Sequence, residues 1–502
     1  MKKTRVLLTG ASGSMGGEAF KVLLQRKSKY DIVLLLRPSK ENRKMFERYL
    51  LRSTTRNNHT KVMENNGLKI VWGDITNYSD VLEAVNGVEF VLHPAAFIAP
   101  AADHNPKLAE KINVGGTENI IQAIKEQPSG SERIKLVYIS SVAIYGDRLA
   151  PIYWIRTGDP LKPSVYDFYA TTKIRAERAV IESGLKYWVS IRQTYIGIPD
   201  AMSLMDPILY HQPIDQHIEM VTAEDAGYGL VQCLETQDDF WRRIYNMGGG
   251  PSCRFIFFEY MEQMMKSFGL GDYRKIMERN WFCLRNFHCG WFADSNILDD
   301  YLGHQRQSLE DHYRQVQEAA PWFVKLAKIA PSGIVKRFVM RKMACGKDGP
   351  INWIRTNNKG RISAFWGSHE KWEQIPGWDS DMPDVNAEAI LLDHGYDDSK
   401  ADSDLTMNDM REAARFRGGL CLSESLNDMH SPLEWQCAFG HQFKATPTLI
   451  LRAGHWCPEC LAPPWNYDEI AKQNPFFAQV YYPNHDEDEC NYYDERCYED
   501  IL

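Results

Sequence analysis

The stretch VLLTGASGSMGGEAF at residues 6–20 limits what this chain can fold into more than any other segment. A short apolar run stops at Gly10, Gly13 and Gly16, and a helix-period pattern begins at once. A strand, a turn without side chains and a helix N-terminus in that order allow backbone N–H groups to approach an anion. The spacing G-x-x-G-x-x-G suits the pyrophosphate of a dinucleotide. From there to about residue 140, β-rich runs such as DIVLLLR, LKIVWGD, VEFVLHPAA and IKLVYISS alternate with amphipathic stretches such as DVLEAVNG and GGTENIIQAIKE. Alternation of that kind predicts βαβ units, so the expected fold is α/β: a Rossmann-type doubly wound parallel sheet with a small substrate lobe.

A chain of 502 residues is longer than one core usually supports. The expected division is a cofactor-binding domain with its substrate lobe over 1–325, a linker or wrapping segment over 326–400, a small zinc-ribbon-like domain over 401–465 and an acidic tail over 466–502. The formal net charge of -8 argues against nucleic acid and against anionic membrane as partners, because both demand a concentrated positive field. The opening MKKTRVLLT reads as a first strand and not as a signal peptide, and no run reaches the length of a spanning helix. A cytoplasmic location follows as an expectation. Eleven cysteines, an odd number, read as thiols plus a metal site and not as a disulfide framework.

Past the second strand an acidic residue would meet the 2′-hydroxyl of the cofactor ribose, whereas an arginine accommodates a 2′-phosphate. Arg37 stands there, with Lys40 and Arg43 behind it, so NADP is favoured while NAD stays open. Asp74, after the third strand of the series, is placed for the adenine end. Further on, Tyr169 and Lys173 are one helical turn apart and share a face. A cation beside a phenol is expected to draw the phenol down toward working pH. Ser141, ending a strand, is placed to donate a hydrogen bond to a substrate oxygen.

With TGASGSMG, GDI, HPAA, NVGGTENII, SSVAIYG, YATTK, VTAEDAG and IYNMGGG in this order, residues 1–325 resemble the extended short-chain dehydrogenase/reductase family, its hydroxysteroid dehydrogenase and carbonyl reductase branch in particular. The resemblance implies Ser141, Tyr169 and Lys173 as catalytic, Asn113 as support, and Ser12, Met15, Ile75 and Ala95 beside the glycines along the cofactor. One departure is Gln193, where the family usually has proline near the nicotinamide. Family dehydratases carry an Asp-Glu pair after the serine; here Val142 and Ala143 stand instead. Epimerases of the family act on pyrophosphate-bearing substrates, yet no Lys or Arg lies between Arg192 and Arg242. Met202, Leu204, Met205, Ile208, Leu209 and Tyr210 could line an apolar pocket or belong to the core of the lobe. Arg254, Arg274 and Arg285 remain candidates for a phosphate, and His211 reads as structural.

The preferred reading is NADP(H)-dependent interconversion of a carbonyl and a secondary alcohol on a largely uncharged, steroid-like or polycyclic small molecule. Two alternatives stay open: a nucleotide-sugar epimerase with tightly bound NAD, and an NADP(H)-sensing regulator. Near the other end, Cys437, His441, Cys457 and Cys460 are spaced C-x3-H-x15-C-x2-C, four ligands of the kind a tetrahedral structural zinc takes. The segment LEWQCAFGHQF…HWCPEC resembles zinc-ribbon or treble-clef modules. Such a module is expected to staple an appendix too small to be stable alone, with a homodimer contact, a cover over the active site or a protein partner as its outward purpose.

Overall fold

The computed structural model describes residues 3–49, 62–200, 206–321, 331–385, 387–461 and 465–489, together with Tyr493, Arg496 and Glu499. Its centre is an eight-stranded sheet. The strands are β1 (Thr4–Thr9), β2 (Tyr30–Leu36), β3 (Val62–Asn65), β4 (Leu68–Trp72), β5 (Phe90–His93), β6 (Lys135–Ser141), β7 (Trp188–Gln193) and β8 (Arg243–Met247). They lie in the order β8-β7-β6-β5-β1-β2-β4-β3, all parallel except the β3–β4 pair. Strands covered on both faces by helices can be apolar at nearly every position, which is why these runs are so rich in Val, Ile and Leu. The chain winds one way from β1 through β2 to β4 and the other way from β5 through β8. The crevice therefore opens between the carboxyl ends of β1 and β5. The doubly wound sheet expected from the alternation is the one present.

The helix after β1, α1 (Ser14–Gln25), packs on Ala223–Gln232 closely enough that a Cβ on Gly227 would sit 2.5 Å from the Cβ of Glu18. A three-stranded sheet of Tyr195–Gly197, His217–Thr222 and Arg254–Ile256 begins the lobe beyond the main sheet. Leu209 and Tyr210 are buried in the core of this lobe with Trp281 and Phe282, so they pack it and do not line a pocket. Ile208 is half-buried, and Met202, Leu204 and Met205 lie outside the described residues.

The C-terminal third differs from a linker, an appendix and a tail. Helices at Pro350–Arg355 and Lys359–Trp366 bury Trp353, Phe365 and Trp366, and the Trp366 indole donates to the carbonyl of Phe282 at 3.1 Å. Only beyond Glu373 does the segment run irregularly over the lobe, where the Ile390 amide bonds the Pro151 carbonyl at 2.8 Å. The metal-ligand segment has no separate core: Trp435, Leu449, Ile450 and Leu451 belong to the same buried cluster as Val91, Ile124, Val180 and Trp188. Residues 467–481, assigned to the acidic tail over 466–502, form two helices, Tyr467–Gln473 and Pro475–Tyr481, while most of 490–502 lies outside the described residues. Phe476, Phe477, Val480 and Tyr481 are buried there. The acidic residues that dominate the composition mask an apolar helical stripe that has a surface waiting for it. Phe477→Ala should accordingly cost about 3–5 kcal/mol of stability in urea unfolding, as a core truncation does; a change near zero would restore the solvated tail.

Candidate active site and metal cluster

At the head of the crevice Gly10 has φ +62°, and a Cβ on it would lie 2.9 Å from the backbone of Ala95, so no side chain fits between the two central strands. A Cβ on Gly16 would lie 2.2 Å from the Gly10 carbonyl oxygen. α1 starts at Gly13 with neither a capping side chain nor an acid in its first turn. Its N-terminal N–H groups and dipole are left to an external anion, as the pyrophosphate of a dinucleotide requires. Ser12 is exposed at this turn, while Met15 is buried in the core and contributes packing.

Arg37 is exposed after β2, and among the described residues its guanidinium pairs with no carboxylate. Arg43, by contrast, lies over the Trp72 ring at 4.7 Å and pairs with Glu47 at 3.3 Å. Asp74 uses one carboxylate oxygen to accept from the amide and hydroxyl of Thr76, both at 2.8 Å. That turn holds Ile75 against Gly116.

A chain of hydrogen bonds ties the crevice to the next helix. The Ala95 amide donates to Thr9 Oγ1 at 3.3 Å, and Thr9 Oγ1 lies 2.9 Å from His93 Nδ1. His93 Nε2 lies 3.1 Å from Thr117 Oγ1, which donates to the Asn113 carbonyl at 2.6 Å. Since Thr117 spends its proton on that carbonyl, His93 donates from Nε2. Burial and the nearby Lys173 push the ring down to about 3, which keeps it neutral and leaves Nδ1 to accept from Thr9. Asn113 accepts from the Phe97 amide at 2.7 Å and donates to the Phe97 carbonyl at 3.0 Å and to Thr172 Oγ1 at 2.9 Å. Thr9, His93, Thr117 and Thr172 were not singled out from sequence, although HPAA already carried the histidine.

Helix α2 (Phe168–Ile181) carries Tyr169 and Lys173 on one face. Asp167 caps it, accepting from the Ala170 amide at 2.7 Å, and Asp103 accepts from the Tyr169 amide at 3.0 Å. Ser141 ends β6 and accepts from the Ala143 amide at 3.2 Å, on the side of the sheet where Tyr169 stands. Lys173 donates to the Ile139 carbonyl at 2.5 Å and stands 4.3 Å from the Tyr138 ring centre. Burial draws Lys173 down to about 7, against the pull of Glu177.

The expectation that Lys173 draws the phenol down is not met. Burial pushes Tyr169 up to about 12; the Ser141 hydrogen bond opposes the rise, and the Asp167 and Asp103 carboxylates add to it. Asp103 arrives from 66 residues away, so no local reading of the helix could include it. At the end of β7, Gln193 Oε1 is buried with no hydrogen-bond partner among the described residues. Arg254, Arg274 and Arg285, the candidate phosphate ligands, pair instead with Glu219, Asp272 and Glu489, at 2.7, 2.8 and 2.8 Å. His211 bonds the Asp348 carbonyl at 2.8 Å and is driven down to about 4 by burial, as a structural histidine would be.

One turn beyond Lys173, Glu177 anchors the C-terminal module. Arg192 and Glu177, both fully buried, pair at 2.8 Å. Arg192 also donates to Tyr145 Oη at 2.7 Å and to the Ala453 carbonyl at 2.6 Å, and His455 Nε2 lies 2.9 Å from Glu177. Arg178 donates to the Lys444 carbonyl, and Glu182 accepts from the Thr446 amide and hydroxyl. Two residues past His455 stands Cys457, one of the four residues of the cluster. The ligand atoms of Cys437, His441, Cys457 and Cys460 all lie within 4.8 Å of one another. Sγ of Cys460 stands 3.9 Å from that of Cys437, and His441 Nδ1 stands 3.5 and 3.6 Å from the sulfurs of Cys457 and Cys460. Thiolates about 2.3 Å from one tetrahedral ion would stand roughly 3.8 Å apart, close to the 3.9 Å between Cys437 and Cys460, so the donor set and its spacing suit such an ion. The nine described cysteines form no disulfide.

Residues 6–195 match the model of the NAD dependent epimerase/dehydratase family. The chain is 25% identical over 181 residues to 3 beta-hydroxysteroid dehydrogenase type 7 of Mus musculus, covering 35% of this chain and 44% of that protein. It is 30% identical over 122 residues to the UDP-N-acetylglucosamine 4,6-dehydratase (inverting) of Campylobacter jejuni, covering 24% of this chain and 32% of that one. The chain thus spans less than half the length of these relatives. A UDP-glucuronic acid 4-epimerase from Bacillus cereus in complex with NAD aligns with a TM-score of 0.48 at 18% identity, over 66% of this chain and 99% of that one. The family match supports a place for the N-terminal part in the NAD-dependent epimerase/dehydratase family.

Glu177→Leu would leave Arg192 buried without its countercharge. It should cost about 3–5 kcal/mol in urea unfolding and speed proteolysis between residues 437 and 460; an effect below about 1 kcal/mol, the range of an exposed pair, would mean the network anchors nothing.

Proposed function

We propose that the chain is an NADP(H)-dependent oxidoreductase that interconverts a carbonyl and a secondary alcohol on a largely uncharged, steroid-like or polycyclic molecule. The observation that carries this reading is the placement of Ser141 at the carboxyl end of β6 with Tyr169 and Lys173 one turn apart on one face of α2, beside the glycine crevice. The crevice, the uncapped start of α1 and the unpaired Arg37 suit a dinucleotide with a 2′-phosphate. When bound, that cofactor supplies or accepts hydride. The protein's own part is to hold the reacting oxygen and manage its proton. Ser141 donates to the substrate oxygen, and Tyr169, held protonated by its surroundings, delivers a proton to that oxygen during reduction and removes it during oxidation. Lys173 fixes the helix face through the Ile139 carbonyl and presents its ammonium to the cofactor ribose.

The substrate class rests on charge. The lobe segment between Arg192 and Arg242 has no cation, and the three arginines nearest to serving a pyrophosphate are paired with carboxylates. Val142 and Ala143 are buried and apolar where a dehydratase would keep two acids. The name of the mouse relative agrees with an apolar ring system as substrate. For the cluster at Cys437, His441, Cys457 and Cys460 the proposal is a structural zinc: all four positions are filled by protein, which leaves none open for substrate.

Replacing Tyr169 with Phe should lower turnover about 10²–10⁴-fold and leave NADPH binding by calorimetry unchanged. Unchanged turnover would remove the mechanism; activity on nucleotide-sugars alone, with tight NAD, would move the chain to the epimerase reading. Arg37→Asp should weaken NADPH and spare NADH. Because Tyr169 sits at about 12, the phenolate fraction grows tenfold per pH unit. Alcohol oxidation should therefore climb steadily with pH through the neutral range, and a plateau near neutrality would show that another group is the base.

A further inference from the structure

Residues Ser332–Val335, Lys336–Met340 and Arg341–Ala344 form one continuous helical run, the middle part wound as a π-helix. One side is docked: Val335, Met340, Met343 and Ala344 are buried in the core of the substrate lobe, and Tyr210 Oη donates to the Met340 carbonyl at 3.2 Å. The other side has an unusual composition. Ile334 is 53% exposed and Phe338 63% exposed. Arg337, Arg341 and Lys342 are exposed beside them, at the spacing that puts residues on one helix face. Lys336 pairs with Glu278, but among the described residues none of those three cations pairs with a carboxylate. In sequence no Asp or Glu occurs between Glu318 and Asp348, while Lys325, Lys328 and Lys347 add to the positive run. The overall charge of -8 is therefore distributed very unevenly.

We infer that this face is a docking surface for an anionic lipid bilayer. Two bulky apolar side chains standing out among cations match a surface that offers negative headgroups over an apolar layer. Phosphates of a nucleic acid would satisfy the cations and leave Ile334 and Phe338 in water. A protein that wraps a basic amphipathic helix needs its whole circumference, and half of this one is occupied by the lobe. No described helix is long and apolar enough to cross a membrane, so the contact lies on the surface. The expectation of no membrane partner came from total charge, which averages this patch away. The inference does not depend on which reaction the crevice performs.

The test is co-sedimentation of the full-length protein with vesicles of phosphatidylcholine alone or with about 30% phosphatidylserine, at about 0.1 M salt and again at high salt. The wild type should sediment with the phosphatidylserine vesicles only, and high salt should release it. Ile334→Ser with Phe338→Ser, and separately Arg337→Glu with Arg341→Glu, should each weaken binding about tenfold or more. Both pairs are exposed, so their thermal melts should match the wild type. Absence of wild-type binding overturns the inference, as does equal binding by either variant. Binding of duplex DNA that is lost only on charge reversal, with no vesicle binding, would overturn it in favour of a nucleic-acid site.

Discussion

The structure hangs on one buried ion pair. Glu177 and Arg192 are enclosed where neither could remain charged alone, and the Arg192 charge keeps Glu177 well below its usual range despite burial. Further partners surround the pair: Tyr145 and the Ala453 carbonyl on the arginine, Ser190 and His455 on the carboxylate. A buried pair without such extra partners seldom repays its desolvation. Here the additional partners come from opposite ends of the chain. The pair joins the strand β7, the helix that carries Tyr169 and Lys173, and the loop that leads into the Cys/His cluster. A metal held by the Cys/His cluster would thereby have a physical purpose, because it would fix the loop that closes the charge network behind Lys173.

A second constraint acts at the mouth of the sheet. Two central strands approach so closely at Gly10 and Ala95 that only hydrogen and a small methyl fit. The polar groups trapped nearby must then satisfy one another. Thr9, a neutral His93, Thr117 and Asn113 do so in a single directed chain that ends on Thr172, one residue before Lys173. Both networks converge on α2 from different sides, so the helix position is determined by groups that never touch a substrate. The electrostatics of the phenol follow from the same crowding: burial holds Tyr169 in its protonated form, and the acids that cap the helix add to the effect.

Local sequence determined the sheet, the turn and the pairing of side chains along a helix. Apolar runs buried on both faces leave little choice but a parallel sheet, Gly10 must take a left-handed backbone angle, and Tyr169 and Lys173 share a face because a helix turns every 3.6 residues. The spacing of Cys437, His441, Cys457 and Cys460 was equally legible, since short knuckles bring ligands together whatever surrounds them. Tertiary structure decided the rest, because those properties depend on groups distant in sequence. Burial by the surrounding structure raises the Tyr169 pKa against the expected direction, and Asp103, reaching it across 66 residues, adds to the rise. Glu489 claims Arg285 across 204. Residues 467–481 of the expected acidic tail fold into buried helices because another part of the chain offers an apolar surface, and composition records only what a segment contains, not what it meets.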